Sequence, residues 1–229
     1  MRMTYRTLSL TLLTAAFASA AHAGEANPTH VVELFTSQGC SSCPPANRFV
    51  GKVAADNPNA LVLSYGVTYW DFLGWKDTFG NPEFTERQRD YRDAFGASNI
   101  YTPQIILGGS AHSPRYSKKD VSSMPLPSQG RSLAAIRDGQ SLRISAGDAP
   151  QGATLDLVSF IPGEQIVDVE RGENGGRSLK LTNVVTDVER LNWTGETLTV
   201  SRPKQNGTSY ALLLQDGETA RILDAAIVN

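Results

Sequence analysis

Two cysteines, Cys40 and Cys43, are the whole cysteine content of a 229-residue chain, and they sit together in "GCSSCPPA" (39–46). A pair at this spacing serves as a covalent staple, as half of a metal site or as a thiol–disulfide couple. As a staple it does little. Closing a four-residue loop restrains an unfolded chain by about 2 kcal/mol, against roughly 4.7 kcal/mol for a hundred-residue loop. As a metal site it is short of ligands. Structural zinc takes four, often as two such pairs, and there is no second pair. Outside the first 23 residues only His30 and His112 remain. Copper bound by two thiolates and a histidine stays open, because soft sulfur ligands suit that metal. As a redox couple the pair is well placed. It follows a strand-like run and opens a helix-like one, where free N–H groups and the positive end of the dipole favour the thiolate. Cys40 is then the attacking sulfur, and Cys43, one turn on, resolves the mixed disulfide.

The elements that must hold this pair are legible around it. "HVVELFT" (30–36) reads as a buried strand. Ala46, Phe49, Val50, Val53 and Ala54 recur at helical spacing over 44–56, with prolines confined to the first turn. "ALVLSYGV" (60–67) reads as a second strand, and the aromatic, period-free "TYWDFLGWKDTFGN" (68–81) as a loop. A helix follows over 82–96, stopped by Gly96. Next come a strand over 101–110, a short edge strand or loop in "SAHSPRYSK", and a third helix within 125–140. Alternating strands and helices indicate an α/β sheet. Beyond residue 140 the chain alternates apolar and polar residues between Gly, Pro, Asn and Asp, the pattern of antiparallel β structure. A boundary near 140 is expected, with a sandwich-like β region of about 90 residues behind it.

The N-terminus reads as a secretory signal. Arg2 and Arg6 precede an apolar run, and Ala21-His22-Ala23 is a small-x-small cleavage site. Residues 1–23 are therefore expected to be removed and the protein exported, to a periplasm or outside the cell, with no membrane attachment afterwards. Their removal takes two of 21 basic residues and none of the 23 acidic ones, leaving a net charge of about −4. That balance does not point to nucleic acid or an anionic membrane as partner. No cofactor is indicated.

With these segments assembled, the chain resembles the thioredoxin-like superfamily and, more narrowly, a secreted domain-of-unknown-function family, DUF1223. The matching stretches are "VVELFTSQGCSSCPPAN" (31–47), "LVLSYGVTYWDFLGWKD" (61–77), "YTPQIILGG" (101–109) and "ENGGRSLKLTNVV" (173–185). The resemblance implies an α/β thioredoxin-like domain over 24–140, a central mixed sheet flanked by helices, followed by an all-β, sandwich-like region over 141–229. It implies a Cys40–Cys43 disulfide in exchange with protein or small-molecule thiols and disulfides. It also implies that Pro103 is cis, faces the pair, and holds a partner strand together with the backbone of Thr102. Gly39 and Ser41-Ser42 depart from the superfamily pattern, and no histidine or lysine lies inside the motif. The aromatics of the 68–81 loop, Trp70 among them, are candidates to line a groove beside the cysteines. Glu33 is a candidate proton acceptor for Cys43 or else an exposed strand carboxylate. "GENGG" (172–176) reads as a hairpin turn. The expected function is exported thiol–disulfide exchange; the alternative is a non-catalytic or copper-binding module on the same scaffold.

Overall fold

A computed structural model describes residues 27–127, 133–147 and 149–228. The proposed signal, residues 1–23, lies outside the described residues. Among the described residues no helix is long and apolar enough to cross a membrane.

The segment that carries the cysteines begins with strand β1 (His30–Thr36). Its side chains alternate between two buried faces. Val31 and Phe35 enter a core with Tyr65, Phe84 and Tyr91. Val32 and Leu34 enter another with Ala46, Val50 and Val53. A strand buried on both faces reads as a near-continuous apolar run. Helix α1 (Pro44–Asp56) has prolines in its first two positions, where a missing N–H is least costly. Strand β2 (Ala60–Gly66) lies parallel to β1, in register from His30↔Ala60 to Thr36↔Gly66. The loop after it contains one 3-10 turn, Asp71–Leu73. Helix α2 (Pro82–Ala94) starts under an Asn81 cap that accepts from the Glu83 N–H at 3.0 Å. Strand β3 (Gln104–Leu107) pairs antiparallel with β1, and β4 (Ala111–Ser113) forms the edge. A short helix, α3 (Lys118–Ser122), opens on a Ser117/Asp120 capping box.

The third helix expected within 125–140 is instead strand β5 (Leu133–Asp138). Its "LAA" favours helix locally, but β5 pairs with β6 (Ser141–Ala146) and buries Leu133 and Ala135. Tertiary burial overrides a weak propensity. Two long strands follow, β7 (Thr154–Val169) and β8 (Arg177–Arg190), then β9 (Leu198–Ser201), β10 (Ser209–Gln215) and β11 (Ile222–Val228).

The fold expectation is corrected here. The molecule is not a helix-flanked thioredoxin-like domain followed by a sandwich. Among the described residues it is mostly β, with three short α-helices and one large mixed sheet in the order β11-β10-β7-β8-β2-β1-β3-β4. That sheet takes strands from both sides of residue 140. A second sheet, β5-β6-β9, packs against its far half through Leu142, Ile144, Leu157 and Leu212. The join is the parallel contact of β2 with β8, one register pair, Ser64↔Val184. Side chains complete it: Ser64 Oγ donates to the Thr182 carbonyl at 2.7 Å, and Asn183 Nδ2 to the Val62 carbonyl at 2.9 Å. Alternation along a strand shows that it pairs, but not with which neighbour, so the change of pattern near residue 140 carried no sign of this join.

Beside the join lies a buried ion cluster. Arg87 of α2 donates from Nε to Glu33 of β1 at 2.9 Å and from Nη1 to Asp156 of β7 at 2.8 Å. Asp156 also accepts from Arg190 of β8 at 2.6 Å, and the Tyr91 hydroxyl donates to Glu33. Glu33 is therefore not an exposed strand carboxylate: it is fully buried, and both its oxygens are engaged by α2.

Candidate functional site

The motif occupies the passage from β1 to α1. After Thr36 the chain turns through Ser37-Gln38-Gly39, where the Cys40 N–H donates to the Ser37 carbonyl at 3.2 Å. Cys43 is the N-cap of α1, with no side-chain cap bond. Its N–H returns to the Cys40 carbonyl at 3.2 Å. The two cysteines are joined in a disulfide with their Cα atoms 5.5 Å apart. Both are buried, Cys40 at 1% exposed and Cys43 at 0%, while Ser41 and Ser42 face solvent.

The helix start offers fewer donors than the sequence reading assumed. Its first two residues, Pro44 and Pro45, have no N–H, and the Ala46 N–H is spent on the Cys43 carbonyl at 2.9 Å. Prolines that preset the helical dihedrals also delete the groups that would stabilise a thiolate there.

Two distant segments clamp the turn. From the 68–81 loop, Asp77 accepts the Gln38 N–H at 2.8 Å and the Phe79 N–H at 2.9 Å. The Gln38 side chain donates to Thr78 Oγ1 at 2.8 Å and accepts from Trp75 Nε1 at 2.8 Å. Burial pushes the Asp77 carboxyl up to about 6, against the lowering pull of the Gln38 and Phe79 N–H groups. The close fit needs small residues. A Cβ on Gly66 would lie 2.8 Å from the Phe79 carbonyl oxygen, and one on Gly39 would lie 3.3 Å from that of Trp70. The departure at Gly39 thus leaves room for Trp70 to approach from another loop.

The second clamp is the turn between β7 and β8. Asn174, fully buried, donates from Nδ2 to the Gln38 carbonyl at 2.9 Å and to the Cys40 carbonyl at 2.8 Å. Arg177 donates to Asn174 Oδ1 at 3.1 Å, which fixes the amide's orientation. Beside it, exposed Glu173 accepts the Ser41 N–H at 3.0 Å. Hydrogen bonds from Ser41, side chain first and backbone second, hold the Glu173 carboxyl below its ordinary range.

The face opposite the pair is built by Thr102 and Pro103, whose peptide bond is cis. Ser42 Oγ donates to the Thr102 carbonyl at 3.5 Å, and Trp70 Nε1 to Thr102 Oγ1 at 2.7 Å. Trp70 stacks on Phe72, which is 79% exposed. A cavity of about 580 Å³ runs alongside, lined by Ser42, Ala46, Phe49, Pro103, Arg115 and Tyr116, among others. So Cys40, Cys43, Trp70, Thr102 and Pro103, all singled out from sequence, meet at one place. Glu33 does not serve it, since Arg87 and Tyr91 take its carboxylate. Nor do the histidines: His112 Nδ1 faces Tyr101 Oη at 2.8 Å, and His30 Nε2 faces the Ser122 carbonyl. Among the described residues no three metal-ligating side chains gather.

Sequence reasoning missed Gln38, Asp77, Glu173 and Asn174. Two signals were present. "ENGG" lies in one of the stretches that carry the resemblance, and Asp77 closes another.

A family model described as Protein of unknown function (DUF1223) matches residues 31–215. No curated protein matches the chain. Among solved structures, the crystal structure of a protein from Agrobacterium tumefaciens is 33% identical, covers 88% of this chain and 94% of its own, and superposes with a TM-score of 0.67. HBP35 of Porphyromonas gingivalis, 12% identical, covers 89% of this chain and 76% of its own with a TM-score of 0.57, a likeness of fold alone.

Proposed function

The chain belongs to the DUF1223 family, and on that premise we propose that it is an exported thiol–disulfide oxidoreductase working through Cys40 and Cys43. One observation carries the reading: the bonded pair sits at a strand-to-helix turn, with Ser42 between the cysteines donating to the Thr102 carbonyl next to cis Pro103 and a partly apolar cavity alongside. In the reducing direction the Cys40 thiolate attacks one sulfur of a partner disulfide. A Cys40–partner S–S bond forms, and the other partner sulfur leaves as a thiolate that takes a proton from water. The Cys43 thiolate then attacks Cys40 Sγ. The intramolecular disulfide closes and the second partner thiol departs, so the partner gains two electrons and the pair loses two. Run backwards, the same steps oxidise a partner dithiol. Partners are protein or small-molecule thiols and disulfides. An extended partner segment would pair with the backbone at Thr102, displacing the Ser42 hydroxyl from its carbonyl. Trp70 fixes the Thr102 side chain from behind.

The test is turnover of insulin or glutathione disulfide by the purified protein without its leader. Exchange is expected in the native chain and its loss in Cys40→Ser. Cys43→Ser should accumulate a mixed disulfide at Cys40. Absence of both turnover and mixed disulfide would rule the reading out.

The burial of both cysteines favours a second, non-catalytic reading, in which the pair only braces the turn. Under it, Cys40→Ser/Cys43→Ser lowers stability by about 2 kcal/mol and changes nothing else. The copper reading keeps two sulfur ligands but finds both histidines committed elsewhere. Stoichiometric copper on the reduced protein, lost in Cys40→Ser, would restore it.

A further inference from the structure

We infer that Glu173 and the Pro44–Pro45 pair withhold stabilisation from a Cys40 thiolate, so that the couple is biased toward the disulfide and its dithiol form acts on partners as a reductant. The inference takes its functional meaning from the exchange reading above, but its test needs only thiol chemistry.

Thiolates at strand-to-helix turns draw their stability from backbone N–H groups aimed at the sulfur and from nearby positive charge. Here the backbone donors are curtailed, and the group left against Cys40 Sγ is the Ser42 hydroxyl at 3.3 Å, which is shared with the Thr102 carbonyl. Pro44 and Pro45 carry no N–H, and the Ala46 and Cys43 N–H groups are spent on carbonyls. The Ser41 N–H, on the residue next to Cys40, is claimed by Glu173 at 3.0 Å. That contact also holds an exposed carboxylate one residue from Cys40, and a like charge disfavours ionisation of its neighbour. Four other charged groups lie around the motif, Arg177, Asp77, Arg48 and Arg115. Arg177 is turned to Asn174 at 3.1 Å, and Asp77 is turned to the Gln38 and Phe79 N–H groups. Arg48 and Arg115 line cavities beside α1 and beside Ser42 respectively. Glu173 touches neither sulfur and acts through Ser41, as a positioning residue.

Destabilising the thiolate of the reduced state lowers the reduction potential of the pair. A donor must then recharge it, and the chemistry requires a protein or small-molecule dithiol of still lower potential, which gives up two electrons and two protons and becomes a disulfide.

The experiment is alkylation of the reduced, full-length mature protein by iodoacetamide across pH, in low salt and in 1 M salt, for the native chain, Glu173→Gln, Glu173→Asp and Pro44→Ala. The native Cys40 thiol should titrate at or above the ordinary value of about 8.5. Glu173→Gln should react about threefold faster at pH 7 in low salt, a shift of about half a pKa unit. In 1 M salt, where screening acts within about 3 Å, that gain should vanish. Glu173→Asp keeps the charge and should stay near native, and Pro44→Ala should also react faster. In dithiothreitol buffers at pH 9, Glu173→Gln should favour the dithiol about twofold more than the native chain. A native thiol titrating below about 7 overturns the inference. So do equal rates for Glu173→Gln and native, or a gain that persists in 1 M salt. Insulin turnover is scored separately: its absence removes the exchange reading while the thiol measurements still decide this one.

Discussion

Glu33 and Asp77 are both buried carboxylates, one beside the join of the large sheet and one beside the cysteine turn, and they are kept by opposite means. Glu33 has a cation. Arg87 reaches it and Asp156 at once, so two negative charges on strands from either side of residue 140 share one buried guanidinium, with Arg190 as a second. Asp77 has no cation among its hydrogen-bond partners; it is held by the Gln38 and Phe79 N–H groups. Asp77, held only by dipoles, titrates at about 6, whereas Arg87 ties Glu33 of β1 and Asp156 of β7 to α2 as a buried ionic link. The join is built for permanence, and the ground beside the motif is built to respond.

The largest effect should come from breaking the ionic link. Arg87→Met leaves Glu33 and Asp156 buried with less compensation, and we expect a loss of about 3–5 kcal/mol in urea unfolding. A loss under about 1 kcal/mol would mean that the cluster adds nothing to the join.

Next is the pH response of Asp77. Its folded value, about 6, lies above its unfolded value of 3.8. The folded state therefore binds the proton more tightly. That contribution is fully present below the unfolded value and is lost as pH rises through about 6. From pH 4 to pH 7 the native protein should lose roughly 2–3 kcal/mol relative to Asp77→Asn. Parallel stability curves for the two proteins would contradict the assignment.

A smaller effect separates the two clamps on the motif. Asn174→Ala removes the side-chain donor to the Gln38 and Cys40 carbonyls and should cost about 1–3 kcal/mol. The loss should appear locally, as faster reduction of the disulfide by dithiothreitol and faster amide exchange in 37–43, with strands β10 and β11 unchanged. Uniform loosening of the whole sheet would place Asn174 in the general scaffold instead. The smallest effect is Trp70→Phe, which keeps the aromatic cover and drops one bond to Thr102. It should cost about 0.5–1.5 kcal/mol and leave Asp77's titration untouched.

Local order was legible and long-range pairing was not. The spans of β1, α1, β2 and α2 follow from turn residues and periodicity, which act over a few positions. The pair's place between β1 and α1 follows from them. The places of Thr102 and Pro103 came from the family resemblance and that of Trp70 from its aromatic, irregular loop, rather than from periodicity. Period-2 alternation placed Glu33 opposite Val32 and Leu34, and that was correct. What it lacked was Arg87, 54 positions away, which makes a buried carboxylate tolerable. The β2–β8 join failed for the same reason, since one register pair across 120 residues leaves no periodic trace. "GENGG" was read correctly as a turn. A turn assignment describes backbone and says nothing of an asparagine side chain folded inward.

That asparagine sets the order in which the molecule can be finished. Asn174 reaches the Cys40 carbonyl across 134 positions of sequence. A growing chain presents its two thiols long before the residue that seals their turn has been made, and closing so wide a loop is a late and entropically costly contact. During synthesis the cysteines pass through a stage with β1, α1 and β2 already available but the hairpin tip absent. A nascent chain halted before residue 170 would carry the motif with one clamp missing. The brace on the N-terminal sulfurs is thus one that the C-terminal half supplies last.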